Sequence, residues 1–222
     1  MPGALTGRRM IGRGVVCSFM VLAFAGYASA QTNERLNLFA ADARLTFPGY
    51  KQSDSVAAAL GVDKLALPSR GFGVVFGAHL YPLRKGVVTL GLGAEVMASK
   101  RGKTPDAPTA GGTQGPTVET RFSAFSPQIS LNFGAKQGWS YLSGGVGAGH
   151  LTTELVSKPL PDAEGRTKVI NYGGGARWFL NDHIAVSLDL RFYGVSPQEA
   201  VGGRPAFPRM TILAMSAGIA LK

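Results

Sequence analysis

Three histidines are the side chains of this 222-residue sequence best suited to proton transfer or metal binding: His79, His150 and His183. They lie far apart in the chain, and none has a second histidine or a carboxylate at the spacing of a metal site. No serine or threonine lies in a nucleophile motif. The sequence therefore predicts no catalytic residue, no metal site and no cofactor, and it places the histidines in turns or in an interior.

Charged residues at alternating positions form a second set of side chains that could bind ions or form ion pairs. Arg177, Asp189 and Arg191 share the polar face of two neighbouring segments, and a hairpin between those segments would place Arg177 diagonal to Asp189, within reach of its side chain. The other candidates for this network are Glu95, Asp42 and Arg44. Two interpretations stay open: the charges pair and fill a narrow interior, or they line a gated ion path.

The elements that carry these charges are predicted from apolar alternation. Segments 170–180 and 184–193 are apolar at every second position, which is typical of a strand with one apolar and one polar face. A three-residue loop at 181–183 makes Leu180 oppose Ile184 and Trp178 oppose Val186, so the apolar faces coincide. The sequence therefore predicts a β-hairpin with a single polar face.

The same alternation recurs along the chain and predicts eight strands. They cover about 38–47, 72–81, 87–98, 118–133, 139–151, 170–180, 184–193 and 210–221. Short joins at 83–86, 134–138 and 181–183 alternate with long joins rich in Gly, Pro and charge at 48–71, 99–117, 152–166 and 195–209. Short turns on one rim and long loops on the other are typical of bacterial outer-membrane barrels. The predicted fold is an all-β, eight-stranded antiparallel up-and-down transmembrane β-barrel.

Three local features refine this prediction. Pro127 and a shift of the apolar positions around it predict a β-bulge near Ser126-Pro127, with two shorter strands as the alternative. Trp139 and Trp178 stand beside short joins and are expected to face outward in a membrane-interface girdle, with core packing in a soluble barrel as the alternative for both. Glycines in the runs 144–149 and 173–175 are interpreted as relief from crowding in a narrow barrel, because no helix follows to bind a phosphate.

The first thirty residues are typical of an export signal. Arg8, Arg9 and Arg13 precede an apolar stretch at 15–25, and Ala28-Ser29-Ala30 forms a small-residue cleavage site. This predicts a cleaved signal peptide at 1–30 and an outer-membrane barrel domain at 31–222. The single cysteine, Cys17, lies in the signal, so the mature chain is expected to contain no disulfide.

The charge balance indicates the class of partner. Without the three signal arginines, 20 Lys and Arg face 13 Asp and Glu, a net charge of +7. The charges are scattered, no basic helix is evident and the chain is exported, so nucleic acid is not expected as a partner. A basic surface that faces outer-membrane lipid and lipopolysaccharide is the favoured interpretation, and a merely solvated surface is the alternative. A monomer is the expected state, and no partner protein is indicated.

Two regions resemble a known group of proteins. The run 173–183, Gly-Gly-Gly-Ala-Arg-Trp-Phe-Leu-Asn-Asp-His, followed by the strand to Tyr193, resembles the penultimate hairpin of the small OmpA-like and OmpW-like outer-membrane β-barrel families. The run 139–149, Trp-Ser-Tyr-Leu-Ser-Gly-Gly-Val-Gly-Ala-Gly, resembles their glycine-rich fifth strand. The resemblance implies an outer-membrane barrel and no particular activity.

Three functional hypotheses follow. The first is a non-catalytic outer-membrane barrel with a structural, surface-interaction or narrow-pore role. The second is an outer-membrane enzyme that modifies lipid A, against which the sequence lacks the His-x-Ser pairing of the lipid A deacylases. The third is a soluble periplasmic lipid-binding barrel, whose apolar face would point inward. Alternation alone does not decide which face points inward.

Overall fold

The computed structural model describes residues 39–106, 113–135, 138–159, 165–200 and 205–222. Eight antiparallel strands form a closed barrel in which each strand pairs with its sequence neighbours and β8 pairs with β1. The strands are β1 (Phe39–Gly49), β2 (Phe72–Lys85), β3 (Val88–Lys103), β4 (Val118–Ala135), β5 (Gly138–Leu155), β6 (Thr167–Phe179), β7 (Ile184–Val195) and β8 (Met210–Leu221). The predicted eight-stranded up-and-down barrel is confirmed. The predicted signal peptide and its cleavage site lie outside the described residues.

The β6–β7 hairpin has the predicted register. Trp178 pairs with Val186, and the Leu180 N–H donates to the Ile184 carbonyl at 2.8 Å. The side-chain oxygen of Asn181 accepts the N–H groups of His183 and Ile184 at 2.9 and 2.8 Å. Asparagine favours such turns because its amide replaces backbone partners. The loop chemistry and the apolar alternation therefore specify the same register.

The apolar faces of the strands point out of the barrel. Along β7, Leu188 and Leu190 are exposed, whereas Ser187, Asp189 and Arg191 are buried in the lumen. The other strands repeat this pattern, with exposed Phe, Leu, Ile and Val side chains outside and polar side chains inside. A soluble carrier would have the opposite polarity, so the structure favours the membrane barrel.

Pro127 does not produce the predicted bulge. It pairs with Ala94 of β3, and the β4–β5 register is the same at Phe125 and at Gln128, on either side of an interruption at Ser126 and Pro127. Pro127 is exposed on the outer surface. Since proline has no N–H to donate, the missing hydrogen bond interrupts the ladder without shifting it.

The shift of apolar positions in β4 has a different cause. Phe122 and Ala124 point into the lumen and are 1% and 5% exposed, whereas Ile129, Leu131 and Phe133 point outward. The strand keeps one alternation throughout. The shift arises because the lumen is apolar at one end and polar further along. Inward residues of a barrel strand are usually expected to be polar, so inward Phe122 and Ala124 look like a change of face.

The register irregularity lies in β2 instead. The pairing of β2 with β3 shifts by one residue between Leu80 and Leu83. Tyr81 is buried in the lumen and Pro82 is exposed beside it. Proline is tolerated at a bulge because the residue there does not donate to the ladder.

The β1–β2 connection contains helical structure that the strand alternation does not predict. Helix α1 (Asp54–Leu60) is followed by a short 3-10 helix at Lys64–Ala66. The alanines of α1 favour a helix, and Gly61, with φ of 66°, ends it in the left-handed conformation. Within the described residues, no helix is long and apolar enough to cross a membrane.

Residues 50–71, called the loop cap below, close the end of the barrel that carries the long loops. Val56, Ala57, Ala66 and Leu67 are buried against the strand walls. A cavity of about 20 Å³, lined by residues of the loop cap and the walls, has room for about one water molecule. We call this end the long-loop end and the opposite rim the short-turn end.

The outward polarity predicts a depth-dependent effect of charge on stability. Leu188→Arg should lower the free energy of unfolding in lipid vesicles by about 2–4 kcal/mol, because it places a cation in hydrocarbon. Ile184→Arg, at the first residue of β7, should cost only about 0–1 kcal/mol because it lies near the interface. Equal costs at the two positions, measured by reversible denaturant titration, would contradict a lipid-facing surface.

Candidate functional site

The centre of the lumen contains six ionised side chains, called the lumen network below: Asp42, Arg44, Glu95, Arg177, Asp189 and Arg191. Each is at most 6% exposed. Three guanidinium groups face three carboxylates, so the network carries no net formal charge. A buried charge is tolerated when opposite charges and hydrogen bonds replace water. The balance of opposite charges therefore allows these six side chains to remain ionised inside the lumen.

Arg44 contacts all three carboxylates. Its Nε donates to Asp42 Oδ1 at 2.7 Å and its Nη2 donates to Glu95 Oε2 at 2.5 Å. Its Nη1 lies 3.1 Å from Asp189 Oδ1 as an ion pair without a hydrogen bond. Arg44 thus joins β1, β3 and β7 across the lumen.

The other two arginines complete the network from β6 and β7. Arg177 donates from Nη2 to Asp42 Oδ2 at 2.8 Å. Arg191 donates to Asp189 from Nε at 3.2 Å and from Nη2 at 3.0 Å, and its Nε lies 3.5 Å from Glu95 Oε1. Each carboxylate therefore contacts two or more guanidinium groups.

Three tyrosines share hydrogen bonds with the network. Tyr141 donates to Asp189 Oδ2 at 2.7 Å, Tyr193 donates to Glu95 Oε1 at 2.6 Å, and Tyr81 accepts from Arg177 Nη1 at 2.8 Å. The Arg177 guanidinium also lies 4.8 Å from the Tyr141 ring centroid, a cation–π distance. The tyrosines satisfy charged groups while their rings fill space.

Glycines provide the room for these side chains. Gly77 pairs with Asp42, and a Cβ at Gly77 would lie 2.9 Å from Asp42 Oδ1. A Cβ at Gly175 would lie 2.7 Å from the Tyr141 hydroxyl. The contacts support the interpretation that small residues relieve crowding in the lumen.

The long-loop end of the lumen is apolar. The loop cap packs there against inward residues of the strands, which include Met97, Phe122, Tyr193 and Ile212. Phe122 and Tyr193 meet edge to face with ring centroids 5.6 Å apart. Tyr193 therefore joins this apolar cluster to the lumen network.

Tyr50 connects the loop cap to the wall. Its hydroxyl lies 2.9 Å from Ser99 Oγ, and Ser99 donates its own proton to the Phe122 carbonyl at 3.2 Å. Tyr50 is therefore the donor in the first bond. Burial raises the pKa of the Tyr50 phenol above its ordinary value, which keeps that proton in place at neutral pH.

The short-turn end is closed by aromatic rings, and here the prediction for Trp139 is wrong. Trp139 is 6% exposed and lies inside the barrel, not in an outer girdle. Its ring meets Tyr81 at 5.2 Å and Phe179 at 5.5 Å, both edge to face. Alternation in β5 contained the signal, because Leu142 is outward and position 139 has the opposite parity.

Trp178 and the histidines occupy separate regions. Trp178 is exposed on the outer wall at the short-turn end, and its role as a membrane-interface anchor stays a prediction. His79 is buried in the lumen, His150 lies on β5, and His183 lies in the β6–β7 turn. The three histidines therefore share no site.

The ion-pair partners differ from the sequence-based prediction. All four residues predicted for the charge network, Arg177, Asp189, Arg191 and Glu95, lie in the lumen. Arg177 pairs with Asp42 and not, among the described contacts, with Asp189. The register of the β6–β7 hairpin predicts only which residues are adjacent within the wall. The Arg177 side chain instead reaches across the closed barrel to β1.

Sequence reasoning also missed the three tyrosines, one amide and one serine. Gln128 accepts from Arg191 Nη1 at 3.2 Å, and Ser143 accepts from its Nη2 at 2.9 Å. Tyr141 and Ser143 have the parity opposite to outward Leu142, and Tyr193 follows Arg191 by two positions. Alternation indicated that these side chains point inward but not that they contact the network.

Comparison with known proteins supports the fold. No protein-family model matches the sequence, and no curated protein matches it. Neisserial surface protein A is similar in structure, with a TM-score of 0.53 and 12% identity over 84% of this chain and 97% of that one. Ail, the attachment invasion locus protein of Yersinia pestis, in complex with sucrose octasulfate, has a TM-score of 0.44 and 10% identity over 82% and 97%. The fold of this chain is that of the small eight-stranded outer-membrane β-barrels.

The contacts of Arg177 predict which pair of lumen charges is energetically coupled. Arg177→Ala should cost on the order of 3 kcal/mol of unfolding free energy, because it leaves Asp42 short of a buried partner. Asp42→Ala should cost much less in the Arg177→Ala background than alone. The control cycle, Arg177→Ala with Asp189→Ala, should show a smaller coupling. Additive losses for Arg177 and Asp42 would contradict the contact.

Proposed function

We propose that this chain is an integral outer-membrane barrel without catalytic activity, which displays a basic surface on its long loops and does not conduct ions. The observation that carries the proposal is the filled lumen. Three layers of side chains fill it from the long-loop end to the short-turn end. They are the apolar cluster under the loop cap, the lumen network, and the rings of Tyr81, Trp139 and Phe179. An eight-stranded barrel has room only for its own side chains, and these three layers occupy it.

The charge distribution supports a surface role. In the described part of the chain, exposed basic residues at the long-loop end outnumber the acidic ones there. The basic residues are Lys51, Lys64, Arg70, Lys100, Arg101, Lys103, Arg121, Lys158, Arg166, Lys168 and Arg209. The acidic residues at that end are Asp54, Asp63, Asp106, Glu119, Glu154 and Glu199. Such a rim attracts polyanions and the anionic headgroups of the outer leaflet.

The polarity of the wall supports the membrane location. Outward side chains such as Phe76, Ile129, Leu142 and Met215 are more than half exposed in the isolated barrel. Apolar side chains that cover the outer wall of a closed barrel are suited to lipid. Outer-membrane lipid and lipopolysaccharide are accordingly the proposed partners of a monomeric barrel.

Planar-bilayer recording tests the filled lumen. The wild-type barrel, shown to be folded by a heat-modifiable band on a gel, should give no steady conductance. Arg191→Ala should increase brief openings, since it removes a side chain that contacts four lumen residues. Lys85→Ala, an exposed cation at the short-turn end, serves as the control and should leave the barrel silent. Steady conductance of the folded wild type would show a pore and overturn the proposal.

A further inference from the structure

We infer that a groove on the outer wall binds a phosphate-bearing glycolipid of the outer leaflet; this inference rests on the proposed membrane location. The groove has a volume of about 460 Å³ and crosses β2, β3, β4 and β5 near the long-loop end. The register aligns two rows of outward residues across it. The upper row is Phe72, Lys100, Arg121 and Thr152, and the lower row is Val74, Ala98, Ser123 and His150.

Small side chains create the groove. Ala98 and Ser123 are directly paired in the lower row. The next row toward the short-turn end contains Val96 and Phe125, which are also paired and are both about half exposed. A shallow floor between these apolar residues and the charged upper row can accept an acyl chain that continues down the lipid-facing wall.

Cationic groups stand at the upper rim. Lys100 is exposed, and the Arg121 side chain is 57% exposed. Glu119 forms an ion pair with Arg121 Nε, and Glu154 lies 3.5 Å from Arg121 Nη1. These two carboxylates orient the guanidinium and formally balance the charges of Arg121 and Lys100, so the net positive charge of this side comes from the next strand. An ammonium and a guanidinium on directly paired residues of neighbouring strands are suited to a phosphate, which accepts charge-assisted hydrogen bonds from both.

The neighbouring strand adds to the positive charge. Arg166, which precedes β6, and Lys168, its second residue, are exposed, and Lys168 pairs with Ala148 of β5. His150 stands between them and the groove floor, and its Nδ1 donates to the Gly165 carbonyl at 3.2 Å. The carbonyl can only accept, so the contact fixes the orientation of the ring in the groove wall. Cations therefore outnumber carboxylates on this side of the rim.

The position of the groove selects the ligand. Long loops of outer-membrane barrels are extracellular, so the long-loop end lies at the outer leaflet, where phosphorylated glycolipid replaces phospholipid. An amphiphile with phosphate groups on a sugar headgroup and acyl chains below matches the two rows. We therefore commit to the lipid A part of lipopolysaccharide as the occupant.

Native mass spectrometry of the refolded, heat-modifiable barrel tests this site. Purified lipid A should bind in a defined stoichiometry, and Lys100→Ala with Arg121→Ala should weaken its binding at least about tenfold. Lys51→Ala with Arg209→Ala removes the same charge at the same rim on the β8–β1 side and should leave binding unchanged. Equal losses in the two double variants would reduce the effect to general electrostatics and overturn the site.

Two further measurements test whether the shape of the groove matters and which class of lipid it binds. Ala98→Trp should fill the groove and reduce binding without any change in charge, whereas Ala78→Trp, an exposed position of β2 outside the groove, should not. Dephosphorylated lipid A should bind at least about tenfold more weakly than lipid A. Phosphatidylglycerol that binds as tightly as lipid A would contradict the choice of glycolipid.

The outcomes for the site and for the proposed function are distinguishable. A folded, silent barrel that does not bind lipid A would overturn the site and leave the proposed function intact. A barrel that binds lipid A but conducts ions would support the site and overturn the proposed function. Loss of one acyl chain from the bound lipid would support the site and contradict the absence of catalysis.

Discussion

The structure depends on the neutralisation of three arginines inside a lumen that is sealed from bulk water. Arg44, Arg177 and Arg191 are at most 3% exposed, and the three carboxylates around them balance their charge. Removal of one member would leave a buried charge uncompensated, which is strongly destabilising, whereas the intact set adds little net stability by itself. The main effect of the network is therefore on structural specificity, because its ion pairs form only when β1, β3, β6 and β7 hold one relative position.

The other two layers of the lumen follow from the same constraint. Water would hydrate the charges and weaken their pairing, and both ends are closed by side chains that exclude it. Tyr193 joins the network to the apolar cluster beneath the loop cap, and Tyr81 joins it to Trp139 at the short-turn end. Tyrosine is suited to this boundary because it has an apolar ring and a polar hydroxyl. The filled lumen and the apolar outer wall together leave the loops and the outer wall as surfaces for function.

Much of the wall could be predicted from the sequence, because strand alternation and loop length are local properties. The β6–β7 register followed from three loop residues, and parity placed Arg177 on the polar face, which the loop asymmetry of an outer-membrane barrel predicts to point inward. The partner of Arg177 could not be predicted, since Asp42 lies 135 residues away and meets it only when the barrel closes. The inward apolar layer at Phe122 has the same sequence pattern as a bulge, because alternation does not show where a lumen changes from polar to apolar. Helix α1 is not predicted by the sequence pattern, because its seven residues lie in a long join rich in Gly, Pro and charge.

The charged faces of the strands point into a closed lumen, and the apolar faces are expected to meet lipid. Nitroxide labels along β7 in reconstituted barrels distinguish this polarity from its reverse, because the predicted mature chain has no native cysteine. Labels at Val186, Leu188 and Leu190 should collide with oxygen dissolved in the bilayer. Labels at Ala185 and Ser187, which point inward and lie outside the lumen network, should be inaccessible both to oxygen and to a water-soluble nickel chelate. A label at Leu188 buried in protein, together with a label at Ser187 open to the chelate, would show the reverse polarity and rule out a lipid-facing apolar wall.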